Sequence, residues 1–213
     1  VEECGRVPEE VRLIAVSKTV DAATAARAHA AGAQDFGENR PDCLLDKAPQ
    51  IPDANWHFIG NIQSRRIHDI VPYASLIHSV YKASHLPKID AAAQAAGKVQ
   101  DILIEVNVSG EASKSGVEPS EAQVMVQEAL AFDHIRVRGL MTMAPQGDEG
   151  YAYECFFTLA QLADDIRATL DEGAARDFNE LSMGMSEDWR AAVRAGATMV
   201  RIGRAIFAED FSE

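Results

Sequence analysis

The feature that most constrains the fold of this chain is an eightfold alternation of short apolar runs with longer alanine-rich stretches. The apolar runs are rich in β-branched residues, which favours strands, and the stretches between them have helical periodicity. Strands that alternate with helices form parallel sheets. The predicted strands are residues 11–17, 34–39, 55–60, 75–80, 101–108, 135–143, 178–184 and 198–203.

Eight strand–helix units without a linker rich in Pro, Gly or Ser predict a closed (β/α)8 barrel, formed as a single domain over residues 1–213. The rival architecture is an open, doubly wound sheet with extra strands. Its diagnostic GxGxxG motif should follow the first strand, and that motif is missing here. The predicted helices are residues 22–31, 43–47, 62–70, 84–96, 120–132, 151–170 and 188–195.

Charge and composition exclude several classes of partner. The chain has 20 Lys and Arg against 33 Asp and Glu, a net charge of −13, which argues against nucleic acid and anionic membrane surfaces. No apolar run approaches the roughly 20 residues of a membrane span, and no basic-then-apolar leader is visible, so a cytoplasmic location is expected. The 3 cysteines form no CxxC and have no histidine at metal-ligand spacing, so neither disulfides nor a metal site is predicted.

A lysine follows the first predicted strand. Active sites of barrels lie at the carboxyl ends of the strands, and Lys18 directly follows the apolar residues 13–16. Partial burial there would lower the pKa of the amine, and a neutral amine is the form that attacks an aldehyde. The alternative is a strand-end lysine whose stem packs on apolar surface while its amine stays in water.

The turns after the last two predicted strands have the composition of a phosphate site. Residues 181–186 (LSMGMS) and 198–204 end in small residues and glycines, where barrels commonly bind phosphate through backbone N–H groups. Ser186 could add a hydroxyl donor, and Gly203 would let the backbone approach closely. An ordinary tight turn between strand and helix explains the same residues.

A reactive lysine and a phosphate cradle across one barrel opening suggest a phosphorylated aldehyde, of which pyridoxal 5′-phosphate (PLP) is the common example. Arg201 lies two residues before Gly203, so it faces the interior if Gly203 does. Because arginine does not surrender its proton, it would donate to an unprotonated ring nitrogen. The alternative role for Arg201 is an ion pair with a neighbouring carboxylate.

Seven stretches that run through nearly the whole chain match one family in order. They are residues 15–19 (AVSKT), 36–39 (FGEN), 56–60 (WHFIG), 107–116 (NVSGEASKSG), 139–145 (GLMTMAP), 181–188 (LSMGMSED) and 200–207 (VRIGRAIF). With them the chain resembles the pyridoxal phosphate homeostasis proteins, whose fold is the single TIM barrel of the alanine racemase N-terminal domain.

The resemblance implies a PLP site and assigns its residues. Lys18 would carry the cofactor as an aldimine, and Arg201 would meet the ring nitrogen. The phosphate would be held by Ser186 and by the Gly203–Arg204 backbone, while Asn39, His57 and Met143 would line the ring or its hydroxyl. The resemblance implies no catalytic residue.

The chain departs from the family pattern after the last predicted strand. Arg204 stands where threonine is usual, so a hydroxyl donor is lost and a charge takes its place, and Ala208 stands where glycine is usual. Lys114 is either a second amine at the barrel opening or a solvated loop lysine. None of these positions alters Lys18.

Three functions remain open at this point. The first is a PLP carrier that buffers the cofactor and delivers it, with apo PLP enzymes as recipients and a monomeric chain expected. The second is a PLP-dependent amino-acid racemase, which needs a further acid or base on the opposite face of the cofactor. The third is an aldolase that forms a Schiff base without a cofactor, where the phosphate cradle and Arg201 would act on the substrate.

Overall fold

A computed structural model describes residues 1–111, 114–145 and 147–208 of the chain. Its strands pair in parallel and in chain order to form a closed barrel, in which the last strand pairs with the first. This confirms the predicted (β/α)8 architecture and excludes the open sheet. The strands are β1 Arg12–Val16, β2 Asp35–Glu38, β3 Asn55–Phe58, β4 Leu76–Val80, β5 Gln100–Glu105, β6 Ile135–Met141, β7 Glu180–Ser182 and β8 Met199–Ile202.

Helices follow the strands around the outside of the barrel. The α-helices are α1 Ala22–Ala30, α2 Pro41–Lys47, α3 Ile67–Ile70, α4 Leu86–Ala95, α5 Pro119–Leu130, α6 Glu149–Arg167, α7 Glu172–Asp177, α8 Trp189–Arg194 and α9 Arg204–Phe207. Short 3-10 helices cover Glu2–Cys4, Pro8–Glu10, Ala48–Gln50, Ser64–Arg66 and Ala83–His85. In the described chain, no helix is both long and apolar enough to cross a membrane.

The structure changes several predicted boundaries. The helix expected over residues 62–70 is a 3-10 turn followed by the single α-helical turn α3, and the short helices α7 and α9 were not predicted. The aspartate before α7, Asp171, accepts a hydrogen bond from Ala174 N, so a local cap starts this helix. Most strands end earlier than predicted. The polar residues after them no longer pair with a neighbouring strand and instead form the loops at the carboxyl ends of the strands.

Side chains alternate between the inside and the outside of the barrel. Outward residues pack under the helices in the main apolar core, while five inward residues form a separate cluster: Ile14, Leu76, Leu103, Met141 and Met199. This period of two explains which polar residues lie inside. On β8, for example, Met199 and Arg201 face inward, whereas Val200 and Ile202 belong to the outer core.

Candidate functional site

A cavity of about 700 Å³ opens at the carboxyl ends of the strands, and we call it the mouth cavity. Its walls come from the loops after nearly every strand, as expected for a barrel active site. Seven of the eight residues predicted from the sequence line it: Lys18, Asn39, Met143, Ser186, Arg201, Gly203 and Arg204. The fold therefore brings together residues as far apart in the sequence as Lys18 and Arg204.

Lys18 reaches this cavity from the loop after β1. The residue is exposed, so the expectation that it is partly buried is wrong. The strand ends at Val16 and the lysine already belongs to the turn that follows, which carries it above the apolar layer. Within the described ranges, its amine has no hydrogen-bond or ion-pair partner, so it is available to react with a ligand in the cavity.

The backbone next to Lys18 is anchored by a buried ion pair. Lys47 Nζ lies 2.6 Å from Glu38 Oε1 and donates to the Ser17 carbonyl at 2.7 Å, and Ser17 Oγ donates to the same Glu38 oxygen at 2.6 Å. Glu38 and Lys47 are almost fully buried, at 0% and 3% exposure. Since a buried charge is costly without its partner, this pair ties α2 to the end of β1. The glutamate of the FGEN stretch is therefore structural.

Arg201 is the buried cation of the cavity. Its Nη1 donates to Ser182 Oγ at 2.6 Å and its Nη2 to the Thr142 carbonyl at 3.0 Å. Burial lowers the pKa of Arg201 to about 10, against the opposing effect of Asp188 and Glu105, so the guanidinium remains protonated at neutral pH. Among the described residues, no carboxylate lies within ion-pair distance of it, which disfavours the simple ion-pair alternative.

The last two loops form a narrow cradle at one side of the cavity. A Cβ atom on Gly203 would lie 3.2 Å from the Val16 carbonyl oxygen, so the glycine permits a tight approach of β8 to β1. The Arg204 side chain pairs with Glu187 at 2.6 Å and thus joins the loop after β8 to the loop after β7. The charge that replaces the usual threonine is therefore neutralised within the rim, and the Gly203–Arg204 backbone stays beside Ser186.

A second close approach positions Asn39. A Cβ atom on Gly60 would lie 2.0 Å from the Asn39 carbonyl oxygen, which no side chain permits. Glycine at this position therefore allows the loops after β2 and β3 to touch, and both residues line the mouth cavity.

His57 is not where the sequence predicted it. Its ring lies inside the barrel, with Nε2 at 2.9 Å from Asp35 Oδ1 and Nδ1 at 2.9 Å from His78 Nε2. It lines a smaller cavity, of about 280 Å³, at the amino ends of the strands instead of the mouth cavity. The prediction is wrong because His57 points into the barrel interior one layer below the residues that line the mouth cavity. The residues that reach the mouth after β3 are Ile59, Gly60 and Asn61.

Glu105 is a buried titratable residue of the mouth cavity that the sequence prediction missed. It is the last residue of β5, is only 2% exposed and lines the mouth cavity. Its Oε2 is buried without a hydrogen-bond partner. Burial raises the pKa of its carboxyl group to about 7, although the nearby Arg201 charge lowers it. The signal was present in the strand alternation, because Glu105 is two residues after the inward Leu103.

The remaining candidates lie outside the cavity lining. Lys114 donates to the Met143 carbonyl at 3.3 Å and lies 3.5 Å from Glu111, so this loop lysine is held at the rim. The further acid or base that a racemase needs could be a tyrosine. All four tyrosines are described and none lines the mouth cavity: Tyr73, Tyr81, Tyr151 and Tyr153. The described part of the chain contains no cluster of three or more His, Cys, Asp or Glu side chains that could hold a metal ion.

Fold and site together define a class, the (β/α)8 barrels built like the N-terminal domain of alanine racemase. The protein-family model of the alanine racemase N-terminal domain matches residues 4–210 of this chain. The pyridoxal phosphate homeostasis protein of Pseudomonas aeruginosa is 39% identical over 209 residues, which cover 97% of this chain and 87% of that protein. The chain therefore belongs to the pyridoxal phosphate homeostasis protein family.

Solved structures are similar as well. PipY of Synechococcus elongatus, determined with PLP bound, has a TM-score of 0.86 and 30% identity, covering 97% of each chain. An alanine racemase of Clostridium difficile has a TM-score of 0.74 at 16% identity, and the match covers all of this chain but only 54% of the racemase. At that identity, the racemase shows the barrel fold alone.

Proposed function

We propose that this protein binds PLP in the mouth cavity, buffers it and delivers it to apo PLP enzymes. One observation carries the proposal: a lysine amine without a partner among the described residues, a buried arginine and a glycine-lined cradle face the same cavity of about 700 Å³. A phosphorylated aldehyde with a ring nitrogen matches all three features: the aldehyde matches the lysine, the ring nitrogen matches the arginine and the phosphate matches the cradle. The homeostasis relatives and the PLP-bound PipY structure support this choice of ligand.

The residues present fit the cofactor. When bound, PLP supplies an aldehyde carbon and a pyridine ring. Lys18 would hold the cofactor at that carbon through its amine, in a covalent but reversible attachment. Ser186 and the Gly203–Arg204 backbone would hold the phosphate by O–H and N–H donors. Arg201 would donate to the ring nitrogen, while Asn39 and Met143 would border the ring.

Borohydride trapping tests the covalent site. Hydride reduces the bond between Lys18 and the aldehyde carbon, so peptide mass analysis of the reduced protein is expected to find the adduct on Lys18. Lys18→Ala should lose the adduct and the visible absorbance without unfolding, because removal of an exposed side chain leaves no cavity in the core. Lys114→Ala is the matched control and should keep both. An adduct that persists in Lys18→Ala would contradict the proposal.

The same arrangement favours a carrier over a racemase. A protonated guanidinium at the ring nitrogen would keep that nitrogen from accepting a proton, and the bound cofactor would then be a poor electron sink. Amino acids with deuterium at the α-carbon should therefore exchange it hardly faster with protein than with free PLP. Exchange at about 1 to 10³ s⁻¹, typical of enzymes, would favour the racemase alternative. Size-exclusion chromatography with light scattering tests the expected monomer.

A further inference from the structure

Four polar side chains connect the floor of the barrel to Arg201. From the amino ends upward, Asp35 contacts His57, His57 contacts His78, and His78 Nδ1 lies 2.8 Å from Ser182 Oγ, which in turn accepts from Arg201 Nη1 at 2.6 Å. His57, His78 and Ser182 are at most 1% exposed. The residues come from β2, β3, β4, β7 and β8, so no sequence motif joins them.

The series of hydrogen bonds from Asp35 to Arg201 has one direction. Arginine is only a donor, so Ser182 accepts from it, and a carboxylate is only an acceptor, so His57 Nε2–H donates to Asp35. Burial is the main cause that holds the pKa of His78 well below its usual range, and the nearby charges of Arg201 and Arg12 act in the same direction, so its ring is neutral and carries one N–H.

Only one placement of the histidine protons leaves every group satisfied. With single N–H groups on the Nε2 atoms, His78 donates to His57 Nδ1 and the Ser182 hydroxyl donates to His78 Nδ1. If His57 carried two protons, His78 would have to turn its N–H toward Ser182. That oxygen would then receive two donors, and its own hydrogen would have no acceptor among the described residues.

We infer that Asp35, His57, His78 and Ser182 form a directional hydrogen-bond relay that positions Arg201 for the bound ring nitrogen. Ser182 cannot rotate its acceptor lone pair away from Arg201 while its hydrogen is committed to His78. The guanidinium is thereby fixed at Nη1, while the Thr142 carbonyl holds Nη2. The inference rests on the proposed function, and the four residues act on the ligand only through Arg201.

Two substitutions of His78 separate the halves of the relay. The side-chain oxygen of Asn is two bonds from Cβ, as Nδ1 of histidine is, so in His78→Asn this oxygen can still accept from Ser182. The terminal amide atoms of Gln are three bonds from Cβ, as Nε2 of histidine is. His78→Gln therefore keeps the contact with His57 and loses the contact with Ser182. The Asn variant should bind PLP within about twofold of wild type, whereas the Gln variant should bind about 3- to 10-fold more weakly.

A PLP analogue supplies a readout that general damage to the barrel would not give. In 1-deaza-PLP a C–H group replaces the ring nitrogen, so the position of Arg201 matters less. The loss in His78→Gln should therefore disappear with this analogue. Equal losses in the Asn and Gln variants, or equal losses for PLP and the analogue, would overturn the relay. Failure of wild type to bind PLP at all would instead refute the proposed function.

The proton positions can be measured without any variant or cofactor. Nitrogen-15 spectra of the unliganded wild-type protein at pH 7 should show both His57 and His78 with hydrogen on Nε2 and a bare Nδ1. Either ring with hydrogen on Nδ1, or with two hydrogens, contradicts the stated direction. This measurement decides the question even if His78→Gln does not fold.

Discussion

Replacement of Glu105 by Gln should make the protein more stable at alkaline pH. The carboxyl is 2% exposed, and its Oε2 has no partner among the described residues. Glutamine has nearly the same shape but no charge, so it removes the ionisation and leaves the packing of β5. The expected effect is therefore purely a change in how stability depends on pH.

The magnitude follows from the pKa of this carboxyl, which burial raises from 4.5 to about 7 in the folded protein. Between those values the folded state binds more protons than the unfolded state, so the free energy of unfolding falls as pH rises. Below pH 4.5 Glu105 is protonated in both the folded and the unfolded state, and its ionisation removes no stability. The loss of unfolding free energy is about 1 kcal/mol or less at pH 5 and reaches roughly 3 kcal/mol at pH 8.

Urea denaturation of wild type and Glu105→Gln at pH 5, 6, 7 and 8 measures this difference directly. Burial also raises the pKa of Asp188, so this residue likewise makes the free energy of unfolding fall as pH rises. Asp188 is present in both proteins, and its contribution cancels in the difference between them. The variant should gain stability relative to wild type steadily up to about pH 7 and then level off. A stability difference that is constant over this range would refute the assignment of a buried, neutral carboxyl to Glu105.

Three further substitutions test the site. Lys47→Ala should cost about 3 to 5 kcal/mol in urea denaturation because it leaves Glu38 buried and unpaired, and adding Glu38→Ala should recover part of the loss; no recovery would mean that the pair does not interact. Gly60→Ala places a Cβ atom 2.0 Å from the Asn39 carbonyl oxygen, so it should destabilise the protein and weaken PLP binding, whereas Gly173→Ala in helix α7 should do neither. Ser186→Ala should weaken PLP binding by about 1.5 to 3 kcal/mol in a fluorescence titration but leave pyridoxal binding unchanged, because pyridoxal lacks the phosphate; a selective loss of pyridoxal would contradict the cradle.

The sequence by itself determined the barrel and most of the mouth. Repeated strand and helix periods are local properties, and parallel strands joined by helices close in chain order. Once the strands were located, their carboxyl ends had to meet at one rim. Lys18, Ser186 and Gly203 lie in the loops that follow strands, so their meeting in one cavity needed no knowledge of strand register.

Tertiary structure alone decided the depth of each inward residue. Strand tilt sets which side chains share a layer, and no local pattern records it. His57 therefore lies below the mouth, against Asp35 and His78, although its strand and direction were predictable. The burial of Glu105 beside Arg201 follows from the same stacking of layers.

Pairing between distant polar groups also required the fold. Glu38 and Lys47 are ordinary charged residues in the sequence, yet the packing of α2 against the end of β1 buries both. Likewise the direction of the hydrogen bonds that reach Arg201 depends on five strands at once. Sequence periodicity specifies which way a side chain points, but its proton and charge depend on what the closed barrel places opposite it.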